Sequence, residues 1–132
     1  MINITELKKE YEEVAGSSDP EKSLNLFYKV RNLLEKGELR VAHRAETGWL
    51  INTWVKSVIL WGFKYGILTE YGGSPLSFHD KNTYPVRSFT PADSIRVVPG
   101  GTSVRSGAYV AAGTVIMPPS YINTGAYIDS GC

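Results

Sequence analysis

The chain has 132 residues, 42% hydrophobic and 20% charged, with a formal net charge of +1. This is the composition of one soluble globular domain, and near-zero charge argues against nucleic acid as the main partner. No run approaches the ~20 apolar residues of a membrane span, the polar start (Met1 to Gly16) is unlike a secretory signal, and the single Cys132 allows no internal disulfide, so the default expectation is a cytoplasmic setting.

Ile4, Leu7, Tyr11 and Val14 fall at helical spacing, and Asn3 with Glu6 three residues on resembles a capping box, which predicts a first helix over residues 4 to 15. "SSDPE" is a second start signal, with Asp19 as N-cap, Pro20 at the first helical position and Glu21 in the first turn. Leu26, Phe27, Val30, Leu33 and Leu34 give this second helix one apolar face, and Gly37 stands where a C-terminal glycine cap belongs. "LRVAHRAETGWLIN" then predicts a hairpin turning at Glu46-Thr47-Gly48, with Leu39 and Val41 alternating against polar neighbours. In "NTWVKSVILWGFKYGIL", Asn52 or Thr53 caps a third helix that is apolar nearly all round and is therefore expected to be buried on several sides. Residues 71 to 94 hold three of the seven prolines and read as an irregular connection.

From Val98 the chain divides into hexads: "VPGGTS VRSGAY VAAGTV IMPPSY INTGAY IDSGC". The first position reads Val98, Val104, Val110, Ile116, Ile122, Ile128; the fourth is glycine except at Pro119; the fifth is always small. A stiff aliphatic every six residues, followed by a residue tolerant of positive φ, is the chemistry of strands that stack as coils around a shared aliphatic column. The predicted fold class is α+β: a helical N-terminal domain with a short hairpin (residues 1 to 70), an irregular connection (71 to 95), and the first coils of a left-handed parallel β-helix (96 to 132).

Chemistry is sparse. His43 and His79 lie outside the hexads, where surface or hydrogen-bonded positions account for them, and no metal site is visible. Asp129 reads as a solvated corner residue. Arg96 and Arg105 either pair with a substrate carboxylate or serve as solvated or structural cations. Met117, Pro118, Pro119 and Ser120 break the glycine rule, which marks either a special site or a corner stiffened by proline.

"RVVPGGTSVRSGAYVAAGTVIMPPSYINTGAYIDSG", preceded by "GELRVA" and "GWLINTWVKSVILWGFK", resembles the N-terminal part of the tetrahydrodipicolinate N-succinyltransferases, over residues 22 to 132. The resemblance implies transfer of succinyl from succinyl-CoA to the amino group of 2-amino-6-oxopimelate in diaminopimelate and lysine biosynthesis, by a trimer with active sites between neighbouring β-helices. It places no catalytic residue in this chain: the family's aspartate would fall just beyond Cys132, its glutamate several coils later, and the coenzyme A site later still. What carries over is substrate-pocket lining at Met117, Pro118 and Ser120. The chain is accordingly expected to be a truncated N-terminal piece, binding no cofactor and no metal, inactive alone and prone to self-association through an open strand edge. Two other readings stand beside it: a non-catalytic interaction module with a short β-helix, and another hexapeptide-repeat acyltransferase.

Overall fold

A computed structural model describes residues 2–72 and 77–132. Three helices and a series of short strands follow one another in an α+β order: α1 (Ile4–Ser17), α2 (Pro20–Glu35), β1 (Ala42–Ala45), β2 (Gly48–Ile51), α3 (Thr53–Tyr65), β3 (Leu68–Tyr71), β4 (Phe78–Lys81), a 3-10 turn (Pro91–Asp93), and six two-residue strands. Among the described residues no helix is long and apolar enough to cross a membrane.

The helix starts follow from their caps. The Asn3 carboxamide oxygen accepts from the Thr5 and Glu6 amides, and the Asp19 carboxylate accepts from those of Glu21 and Lys22, so each side chain satisfies donors the first turn leaves over. α2 closes as the sequence predicts: Gly37 at φ +73° donates its amide to the Leu34 carbonyl, and the Glu38 amide reaches back to Leu33, the double bond of a Schellman termination. α3 starts differently. Asn52 precedes it but makes no side-chain cap; its Nδ2 donates to the Arg40 carbonyl at 2.8 Å, fastening the chain that enters the β1–β2 hairpin.

One apolar cluster joins the helices. Leu7, Leu26, Phe27, Val30, Leu34, Leu39, Trp54, Val55, Val58 and Tyr84 are buried together, with Tyr11, Val14 and Phe63 packed against them. α3 is less enclosed than its apolar sequence predicts, because Leu60 is exposed. Leu39 and Val41 precede the hairpin rather than alternate within it: β1 begins at Ala42, and Leu39 belongs to the helical core.

Within the stretch read as irregular, β4 pairs antiparallel with β3, Leu68 facing Lys81 and Tyr71 facing Phe78. Residues 73–76 of that stretch lie outside the described residues.

The hexads form a second cluster. β5 (Arg96–Val97), β6 (Ser103–Val104) and β7 (Tyr109–Val110) pair in parallel with β8 (Val115–Ile116), β9 (Tyr121–Ile122) and β10 (Tyr127–Ile128) respectively. Val104 stands over Ile122 and Val110 over Ile128, so the chain returns alongside itself after three hexads. Val104, Val110, Ile116 and Ile122 are buried in one cluster with Ala108, and Ile128 packs against it. At ~1.5–3 kcal/mol for each buried aliphatic, these four contribute about 6–12 kcal/mol. Every glycine in the fourth column has positive φ, from +76° at Gly131 to +97° at Gly101, while the proline hexad carries a cis Pro118–Pro119 bond.

The first hexad departs from the sequence phase. Val97, not Val98, pairs with Ile116, a spacing of 19 positions where the other two pairs have 18. The extra residue lies between Val97 and Val104, a stretch that holds Gly100 and Gly101, both at positive φ. Val98 therefore stays outside the aliphatic cluster, and Phe89 and Ile95 pack against the column instead.

Helices and hexads are tied by polar contacts. The Glu35 carboxylate accepts from the Gly107 amide at 2.9 Å and lies 3.4 Å from the Arg87 guanidinium, which also donates to the Ala108 carbonyl at 2.7 Å. Gly107, at φ +88°, has no space for a side chain, since a Cβ would overlap the Thr124 hydroxyl. Gly107→Ala is expected to lower stability by about 2–4 kcal/mol through backbone strain plus overlap, against about 1–2 kcal/mol for Gly101→Ala, which has open space around it. Urea unfolding midpoints compare the two, and equal losses would contradict the packing described.

Candidate functional site

A cleft of about 390 Å³ lies between the β3–β4 hairpin and the hexads, lined by Tyr71, Phe78, His79 and Asp80 on the hairpin side, and by Ser103, Val104, Arg105 and Tyr121 on the other, with Tyr84 and Val86 between them. Its walls are mainly aromatic and aliphatic. Its floor is polar.

Arg105 follows the buried Val104 by one residue, and alternation along the strand turns its side chain away from the column. Its guanidinium pairs with the Asp80 carboxylate and also lies 3.4 Å from the Asn123 carboxamide oxygen, one turn of the repeat below. It sits 5.1 Å from the Phe63 ring centroid, 5.3 Å from that of Tyr84 and 5.9 Å from that of Tyr121, within reach of cation–π attraction. The Arg105 side chain is 16% exposed, that of Asp80 36%. The cation is thus fixed and the carboxylate is the open partner.

Tyr84 is the rigid wall of the cleft. Its hydroxyl donates to the Ile59 carbonyl at 2.6 Å, and its ring packs edge-on against Phe27 at 5.2 Å and beside Phe63 at 4.4 Å. Burial pushes the Tyr84 phenol far above its ordinary value of 10.0, with Arg105 and Arg31 opposing. Tyr71 is also raised, by burial first and by the Asp80 charge second, and its hydroxyl donates to the Lys81 carbonyl at 2.9 Å.

Of the residues singled out in the sequence, Arg105 and His79 meet in this cleft, His79 as an exposed residue of its wall. Arg96 is exposed in β5. His43 stays with the first hairpin, its Nδ1 3.3 Å from Asn52 Nδ2. Asp129 is exposed, and its carboxylate accepts from the Ser130 amide. Met117 and Ser120 line a separate groove of about 360 Å³ with Thr114, Ile128 and Cys132, and Met117 is 61% exposed. The Ser120 hydroxyl donates to the Met117 carbonyl, closing the corner on itself, while Pro118 lies beside Gly100. Asp80, Tyr84 and Val86, with Tyr71, Phe78 and Tyr121, are among the lining residues sequence reasoning missed. A lone Asp in a polar stretch and a Tyr-Pro-Val run carry no periodic signal. Among the described residues, no three His, Cys, Asp or Glu side chains cluster to hold a metal ion.

The sequence pattern described as tetrahydrodipicolinate N-succinyltransferase N-terminal matches residues 3–65. Curated relatives named 2,3,4,5-tetrahydropyridine-2,6-dicarboxylate N-succinyltransferase align further along the chain. That of Methylorubrum extorquens (strain PA1) is 37% identical over 106 residues, 76% of this chain and 37% of the relative. That of Pelagibacter ubique (strain HTCC1062) is 32% identical over 123 residues, 88% of this chain and 44% of the relative. That of Bartonella bacilliformis is 39% identical over 105 residues, 74% of this chain and 36% of the relative. The chain therefore spans less than half the length of these relatives.

Because the folded chain holds the Tyr84 proton more tightly than the unfolded chain does, the stability tied to that phenol is complete below pH 10 and is lost as pH rises beyond it. Tyr84→Phe is expected to cost about 1 kcal/mol at neutral pH through the lost hydrogen bond, and to flatten the alkaline decline. Urea unfolding at neutral and alkaline pH reads both effects; an unchanged alkaline slope would contradict the burial assigned to Tyr84.

Proposed function

The chain belongs to the tetrahydrodipicolinate N-succinyltransferase family, and from that premise we propose that residues 1–132 form the helical head and first left-handed β-helical turns of such an enzyme. The reaction is transfer of succinyl from succinyl-CoA to the amino group of 2-amino-6-oxopimelate, on the route to diaminopimelate and lysine. The amine nitrogen bonds to the thioester carbonyl carbon, the carbon–sulfur bond breaks, and the proton lost by nitrogen ends on the departing coenzyme A thiol.

The observation that carries this reading is the junction of two features in one chain. A helical segment that matches the family pattern over residues 3–65 leads into strands that pair in parallel three hexads apart around a single aliphatic cluster. In this proposal the acidic catalysts and the coenzyme A site lie outside residues 1–132, so these residues alone do not turn over. Met117, Pro118 and Ser120 line the acceptor pocket, a reading supported by their place in the one hexad whose glycine position is taken by proline, Pro119. The enzyme acts as a cytoplasmic homotrimer, and the isolated chain self-associates through the open edges of its last strands.

A chimera tests the proposal. This chain is substituted for the aligned 123 residues of the Pelagibacter ubique protein, and succinylated product and free coenzyme A are measured by mass spectrometry. The folded chimera is expected to succinylate the ring-opened cyclic dicarboxylate, while the 132-residue chain yields no product. A chimera with native-like circular dichroism and no product, or one equally active on amines lacking the dicarboxylate, would contradict the assignment.

A further inference from the structure

The cleft beside Arg105 has the anatomy of a small-ligand site that catalysis by distant residues does not explain. At about 390 Å³ it falls toward the lower end of the ~300–1,000 Å³ typical of small-molecule sites. Phe78, Val86 and Tyr121, which are 41%, 42% and 60% exposed, all line it. Large apolar side chains left in water and sharing one lining with the Arg105–Asp80 pair are a surface that burial of a ligand would favour.

Arg105 is the only Lys or Arg among the lining residues. Of its five N–H donors, two have acceptors among the described residues: one NH2 hydrogen on Asp80 and one NH1 hydrogen on Asn123 at 3.4 Å. A planar guanidinium matches a carboxylate with two parallel donors, and the group that now occupies it is itself a carboxylate. Asp80 is carried on β4 of a two-stranded hairpin and is the more exposed member of the pair. It can turn to water at small cost, whereas the desolvated guanidinium beneath it, ringed by Phe63, Tyr84 and Tyr121, needs an anion in place.

We infer that this cleft binds a small carboxylate with a short apolar body, the ligand's carboxylate replacing Asp80 on Arg105 and its carbon chain lying along Phe78, Val86 and Tyr121. Asp80 is the built-in competitor, so the two members of one ion pair have opposite effects on affinity. A purely structural pair would not produce that opposition.

The test titrates the 132-residue chain with sodium pimelate and sodium heptanoate by isothermal calorimetry, with heptanol as the uncharged control. Saturable binding of at least one carboxylate, and none of heptanol, is expected. Arg105→Gln should weaken binding at least about tenfold, the loss of one charge-assisted contact, and Asp80→Asn should tighten it several-fold. Absence of saturable binding by both the native chain and Asp80→Asn would overturn the inference, as would binding that a folded Arg105→Gln variant retains in full. If Arg105→Gln does not fold, Asp80→Asn decides alone: tighter binding supports the site, unchanged or weaker binding overturns it. Self-association of Asp80→Asn without carboxylate binding, read by sedimentation, would assign the cleft to an acidic side chain of a second copy and likewise overturn it. No succinyl-CoA is present, so failure here leaves the acyl-transfer reading standing, and failure of the chimera leaves this one standing.

Discussion

The constraint on which the hexad region depends is that each inward aliphatic must stand over the one three hexads away. Val104 over Ile122 and Val110 over Ile128 meet it. Meeting it requires the chain to turn after every short strand and to do so in the same way each time. A non-glycine residue at such a positive-φ corner costs ~1–2 kcal/mol. Over five corners that would be about 5–10 kcal/mol, close to the ~6–12 kcal/mol that four buried aliphatics supply. Glycine at Gly101, Gly107, Gly113, Gly125 and Gly131 is therefore what leaves the column favourable, and the two columns of the repeat are one requirement seen at two points of the turn.

The same corners are where the helical head takes hold. Glu35, at the last residue of α2, accepts from the amide of Gly107, so a corner N–H turned away from the ladder finds a charged acceptor. Gly37 leaves room for the Tyr109 ring, which would otherwise lie 2.9 Å from a Cβ. Tyr109 packs at a tilt against Tyr127, ring centroids 4.5 Å apart, and Arg40 covers Tyr127 with its guanidinium 3.4 Å from the ring centroid. Arg31 donates to the Thr83 carbonyl at 2.7 Å, which holds the segment leading to Tyr84 against the helices. With the stack gripped on one side and Tyr84 anchored in the helical core, the β3–β4 hairpin reaches Arg105 through Asp80 and leaves the cleft beside that pair. The cleft is a consequence of how the two apolar clusters are joined.

Much of this was legible in the residues, wherever one side chain had one local task. Asn3, Asp19 and Gly37 cap as their types require, and the Glu46-Thr47 turn is flanked by paired strands. The aliphatic column was legible because periodicity repeats a weak signal until it is strong. The phase at its start was not: Val97 and Val98 are chemically identical, and only the paired strand decides between them. Asn52 holds the N-cap position the sequence gives it, but a polar residue before a helix has several possible partners, and here its side chain goes to a tertiary one, the Arg40 carbonyl, rather than to the first turn. β4 was invisible because "FHDK" has no apolar alternation; its pairing with β3 comes from the backbone. Arg105 was legible as a cation but not as half of a pair, since Asp80 lies 25 positions away.

The central claim is that hexads three apart lie side by side in parallel. Amide hydrogen exchange with through-space proton contacts tests it most directly, because in this arrangement the Ser103, Arg105, Tyr109 and Ala111 amides donate to the carbonyls of Ser120, Ile122, Ala126 and Ile128. The account predicts slow exchange at those four amides and contacts between residues 18 positions apart, such as Val104 with Ile122. Rapid exchange at all four, with contacts confined to sequence neighbours, would contradict it.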